Sequence, residues 1–355
     1  MDMEMKAEQR DSAIKFCFSS KAILILFYCA LQTIGQVGGP ILTRIYFLHG
    51  GKRKWIPSWL LTAGFPCLIV PICFSLARRN RHQNSRFLVT RRLILASAII
   101  GSLLGIDSYM YTIGGAYLPV SVSSLLSSSQ LAFTSIFAFF LVKHKFTHYS
   151  INAVVLMTFG SIILGLHMNG DRPIGETNGL YMLGFFMTIA AAALHGFLMP
   201  AVEYTHFKAG VVVTYELVLQ VQFLISAFAT LFCTVPMIIN KDFQAMPREA
   251  AEFGLGPLKY YMILFSAALA LQCLVIGSLG IIFTSTSLLG GIVSSLLVPV
   301  QQAFAVFFLP ESFNAEKGMA LAMCLWGFAS YFYGEYKTSQ KQQETKQKSE
   351  LGILV

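Results

Sequence analysis

The chain has 355 residues, 55% of them hydrophobic and only 12% Asp, Glu, Lys or Arg, with a net charge of +9. The charged share is about half that of a soluble globular domain, too little to cover the surface of a soluble fold of this length. A soluble enzyme or binding domain is excluded, and so is a closed barrel, because the apolar residues form continuous runs of about 20 instead of alternating.

In chain order, a charged arm over residues 1–21 precedes a first span at 22–48. That run is too long for the apolar region of a removed signal peptide, so it reads as a membrane helix. "HGGKRKW" ends it, and a second span covers 56–77. "RRNRHQNSRFLVTRR" leads to spans at 93–114 and 117–142, separated only by "GGAY". Merged, these two would make a helix of about 45 residues, far beyond a bilayer's thickness. A fifth span at 150–168 follows "KHKFTHYS" and completes a first half, 22–168, with 169–178 as connection. The second half, 179–336, holds spans at 179–202, 210–239, 260–283, 284–309 and 318–336. Its joints are turn-forming or charged: "NKDFQAMPREAAEFGLGPLKY", "TSTS" and "PESFNAEK". The polar tail, 337–355, is expected to be disordered.

Ten spans put both termini on one side. With that side cytoplasmic, 17 Lys and Arg lie inside and 8 outside, with Arg44 left within the first span. The sign places both termini in the cytoplasm. The basic inner skirt signals topology toward a lipid surface and calls for no nucleic-acid partner.

"SSLLSSSQLAF" (Ser123–Phe133) returns 171 residues later as "SSLLVPVQQAF" (Ser294–Phe304), with seven positions identical, among them Gln130 and Gln301. The copies fall in the fourth and ninth spans. Five crossings separate them, so equivalent helices run in opposite directions. The expected fold is an all-α polytopic membrane protein of ten transmembrane helices in two inverted five-helix repeats, with substrate near the midplane between them.

The polar residues at mid-depth define the candidate site. Phosphorylated cargo demands Lys or Arg facing the path, yet no lysine lies deep in a span, and Arg44 is near enough to a helix end to snorkel. Neutral, planar, polar ligands fit better. Gln32, Gln36, Gln130, Gln272, Gln301 and Gln302 each offer a donor beside an acceptor, the geometry that pairs with the N6/N7 edge of adenine. Tyr109, Tyr111, Phe133 and Phe304 are candidate stacking partners. The competing reading is that such amides only join helix to helix. Asp107 is a carboxyl inside the third span, Glu203 and Glu216 lie near cytoplasmic span ends, and His195 titrates near neutrality. Asp107, His195 and Glu216 are therefore the candidate proton carriers. "GQVGG" (Gly35, Gly39) and "GSLLG" (Gly101, Gly105) have the spacing for close helix packing. No nucleotide-binding, metalloprotease or nucleophile-elbow motif is present, and the seven cysteines lack metal spacing, so no cofactor or enzymatic activity is implied.

"LQTIGQVGGPILTRIYFLHGGKRKW", "TAGFP", "GAYLPVSVSSLLSSSQLAF", "LVKHKFTHYSINAVVL" and "FNAEKGMALAMCLWGFASYFYGEYK" together resemble the plant purine permease family, within the drug/metabolite transporter superfamily. The resemblance spans residues 25 to 337. It implies ten helices in two inverted halves and usually proton-coupled transport of adenine-like bases or cytokinins, at the plasma membrane, with tonoplast or endoplasmic reticulum as alternatives. A facilitator or exchanger of another drug-like heterocycle is the competing reading, ahead of a membrane-bound receptor or enzyme. The chain departs from the family pattern at Val122, Gln220 and Gln302, where threonine, glutamate and glutamate are common. The departures bear on the coupling ion and the substrate.

Overall fold

The computed structural model describes residues 2–70, 72–73, 90–142, 148–166, 177–208, 215–284, 287–309 and 313–352. They form α1 (Asp2–Leu48), α2 (Trp55–Ala63), a 3-10 turn (Phe65–Leu68), α3 (Arg91–Tyr117), α4 (Val120–Ser128), α5 (Gln130–Val142), α6 (His148–Leu166), α7 (Asn178–Lys208), α8 (Tyr215–Ile239), α9 (Asp242–Glu252), α10 (Pro257–Thr284), α11 (Ser287–Phe308) and α12 (Ala315–Gly352). No strand occurs among the described residues.

Six stretches among them are long and apolar enough to cross a membrane: Ile23–Leu48, Arg91–Tyr117, Val120–Leu141, Asn178–Val202, Glu216–Ile239 and Pro257–Ser278. Shorter apolar helices cover Ile151–Gly160 and Leu297–Phe308. The expected separation of the third and fourth spans is present, but the corner lies at Leu118–Pro119 and not at "GGAY". A residue before proline avoids the α region, and Leu118 is extended (φ −105°, ψ 149°).

Four expectations need correction. The second span is not one helix over 56–77: α2 stops at Gly64, and Pro66, which has no N–H to donate, tightens the chain into the 3-10 turn. The remainder of that span beyond Cys73 lies outside the described residues. The fourth span is jointed at Ser129, between α4 and α5. The long connection before the eighth span contains a helix, α9. Its Phe243, Met246 and Ala250 recur at helical spacing and pack beside Tyr46, Trp59 and Tyr260, a periodicity hidden by the charges around it. The tail is helical to Gly352, because its Lys, Gln and Glu are good helix formers and continue α12.

α1 runs along α10; α3 packs on α7 and α8; α4 and α5 pack on α7; α6 pairs with α12; α11 touches α1 and α4; α2 contacts α3, α8 and α10. Small residues permit the closest crossings. A Cβ on Gly35 would lie 2.4 Å from the Leu274 backbone nitrogen, and one on Gly101 would lie 2.5 Å from the Ile225 carbonyl oxygen. Polarity is inverted relative to a soluble protein. Phe265, Phe307 and Trp326 face outward, whereas Asp107, Ser121, Ser124, Gln272, Gln301 and Gln302 are buried. Lipid solvates the former, and Asp107, Ser121, Ser124 and Gln302 find hydrogen-bond partners inside.

Candidate functional site

α3 and α7 supply the central pair. Asp107 is buried, and its Oδ2 lies 2.8 Å from His195 Nδ1, half-buried across the α3–α7 interface. One turn further along α3, Tyr111 lines a cavity of about 20 Å³, room for a single water molecule. Gly39 and Thr43 of α1, Leu61 of α2, Gly115 of α3 and Ser123 of α4 share its wall.

Arg44 does not snorkel, as the sequence suggested. It is buried, and its Nη1 donates to the carbonyls of Ala116 (2.5 Å) and Gly115 (3.2 Å). These are last-turn carbonyls of α3 without an intrahelical donor, at the negative end of the helix dipole. The guanidinium therefore caps α3 from α1, at the rim of the cavity. Beside it, Lys54 Nζ donates to the Tyr117 hydroxyl.

The six amides separate into two groups. Gln32 Nε2 donates to Ser294 Oγ (2.6 Å), Gln36 Nε2 to the Ser294 carbonyl (3.0 Å), and Gln302 Nε2 to Ser124 Oγ (2.6 Å) and the Ser121 carbonyl (2.7 Å). These three amides hold α11 between α1 and α4. The side-chain amides of Gln130, Gln272 and Gln301 make no hydrogen bond among the described residues. Gln130 opens α5, where its carbonyl abuts Gly196, next to His195. Gln272 lies on α10 against Gly64, at the end of α2.

Other candidates fall elsewhere. Tyr109 is stacked on Trp55, with ring centroids 3.9 Å apart. Phe304 faces outward and stacks on Phe308, so it is not placed to meet a ligand in the interior. Glu216 lies in the first turn of α8. Its neighbour Leu217 packs with Leu93 near the start of α3, 14 residues before Asp107 and so roughly 20 Å away along the helix. Glu216 does not join the Asp107–His195 pair. The side chain of Glu203 lies outside the described ones. Sequence reasoning passed over Arg44 as a cap, Trp55, and Gly64; the breaker "GFP" was the available signal for the last.

An apolar exterior, a polar interior and six helical stretches long and apolar enough to cross a bilayer define a multi-pass membrane protein. Comparison with known proteins narrows the class. The family model for purine nucleobase transmembrane transport matches residues 23–341. Purine permease 3 of Arabidopsis thaliana is 45% identical, over 93% of this chain and 97% of its own length. Purine permease 2 of the same plant is 40% identical, over 90% of this chain and 94% of its own. The chain belongs to the purine permease family and is a transporter, not an enzyme.

Proposed function

We propose that this chain carries adenine-like purine bases and related planar heterocycles such as cytokinins across the plasma membrane, driven by the proton gradient. Membership of the purine permease family, over residues 23–341, carries the substrate class. The amides left without partners, Gln130, Gln272 and Gln301, offer the donor–acceptor pairs that a base edge requires.

The Asp107–His195 pair supports the coupling. With its proton, the pair is a carboxylate against an imidazolium, or the equivalent neutral forms, and carries no net charge. Without the proton it leaves one negative charge among apolar helices, which is costly. Closure around the pair therefore favours the protonated form, and release of the proton requires water to reach it. The pair loads from the acidic side and empties on the other.

Ten helices in two inverted halves fit this mechanism, and the packing supports that architecture. With the halves paired span for span, the α1–α10 contact corresponds to α3–α7, and α4/α5–α7 to α11–α1. The α6–α12, α2–α8 and α4–α11 contacts correspond to themselves. A two-fold relation generates that pattern.

The test is uptake of labelled adenine in a host lacking its own base permease. Saturable uptake, competed by adenine and cytokinins and reduced by an uncoupler, is expected. No uptake above the empty host for any purine would overturn the reading.

A further inference from the structure

Gly64 ends α2 and makes no polar contact with its side chain, having none, yet it decides where an amide can sit. We infer that Gly64 is a specificity-determining residue: its bare Cα holds the Gln272 carboxamide at the break in α2, where that amide meets the donor–acceptor edge of a planar heterocycle. The inference rests on the purine-transport reading for the nature of the ligand.

Three observations carry it. A Cβ built on Gly64 would lie 2.0 Å from Gln272 Cγ, 2.1 Å from Cδ and 2.3 Å from Nε2. The carboxamide thus occupies the volume of the absent side chain. Gln272 is buried, at 5% exposure, and its amide makes no hydrogen bond among the described residues. Its donors and acceptor are therefore left available to a ligand. Finally, the place is a broken helix. α2 gives way at Gly64–Phe65–Pro66 to a 3-10 turn, and interrupted helices at membrane depth persist where they line a cavity or contact protein.

The glycine is not required by its backbone, since its φ of −78° is open to any residue. The requirement is space. A methyl at position 64 meets Gln272 from Cγ outward, so the side chain must turn about χ1, and Gly64→Ala then moves the amide without removing it. Loss of recognition through position 64 should then equal loss through position 272.

The experiment is a double-mutant cycle on the full chain, read as adenine uptake with adenine and hypoxanthine as competitors, and as thermal unfolding of the detergent-solubilised protein. These competitors differ at position 6, where an amino donor is replaced by a carbonyl acceptor. Gly64→Ala should raise the KM for adenine roughly tenfold and shift the adenine-to-hypoxanthine preference, with surface amount unchanged. Gln272→Leu should do the same, and the double variant should be no worse than either. Should Gly64→Ala reach the surface poorly, adding Gln272→Ala should relieve the overlap and restore the surface amount. Additive losses, an unchanged competitor preference in Gly64→Ala, or no restoration by Gln272→Ala would each overturn the inference. If the native chain takes up no purine, the transport reading fails. The unfolding cycle still reports whether positions 64 and 272 act as one unit, so the two failures are distinguishable.

Discussion

Asp107 carries a carboxyl where an unpaired charge costs several kcal/mol, and His195 answers it at 2.8 Å. Replacing Asp107 by Asn keeps the shape and removes the titration. Asp107→Asn should abolish pH-driven accumulation while exchange of labelled for unlabelled base persists. His195→Gln should shift the pH dependence, since the carboxyl can still take a proton. Accumulation should be greatest with acid outside and fall as the outer pH rises, because alkali strips the proton that closure requires. Uptake by the native protein that ignores both pH and uncoupler would make the pair structural. Both residues were visible in the sequence as ionisable groups in apolar runs. Their partnership was not, because 88 residues separate them and only the α3–α7 packing joins them. The amides show the same limit. Six glutamines look alike in a sequence, and it takes Ser294, Ser121 and Ser124 to show that three of them commit their N–H groups to contacts with or from α11.

Helix α3 ends at a corner that its own residues cannot cap, and the cap comes from Arg44 of α1, 72 residues away from Ala116. Removing it leaves carbonyls without a donor in a buried place. Arg44→Leu should lower stability by about 2–3 kcal/mol, read as earlier thermal unfolding in detergent. Arg44→Lys should recover part of it, since an ammonium donates to carbonyls without the fork of a guanidinium. Unfolding of Arg44→Leu at the native temperature would mean that Leu118–Pro119 holds the corner alone. The residue was expected to reach for the headgroups, because position along a span says nothing about which carbonyls wait opposite. Breakers at Pro119 and Gly64–Pro66 mark two element ends that the expected spans misplaced, one at "GGAY" and the other by running on to residue 77. No breaker marks Ser129, and the joint between α4 and α5 depends on packing against α7. α9 and the helical tail were misread because charge density suggested loops, while their spacing and helix propensity were given too little weight.

For the whole molecule, the inside-out polarity followed from composition and the helical class from continuous apolar runs of membrane length. The proposed two-fold relation rests on eleven letters written twice and on the pattern of helix contacts. Residues 22–168 should superpose on 179–336 by a rotation about an axis in the membrane plane, with Gln130 and Gln301 within about one helical turn, as read by cryo-electron microscopy. Halves related by an axis along the membrane normal would refute it.

The bond between Asp107 and His195 also has a history within each newly made chain. α3 leaves the ribosome well before α7, and at about 5–20 residues per second the 88 intervening residues take roughly 4–18 s. Through that interval α3 must enter the bilayer with its carboxyl unanswered, at about 3 kcal/mol on an insertion scale. The surrounding Leu and Ile of "RRLILASAIIGSLLGI" offset this at a few tenths of a kcal/mol each. Biogenesis therefore sets a lower bound on how apolar α3 must be, separate from anything the finished carrier needs. The arrival of α7 is the step that turns an inserted chain into an assembled one.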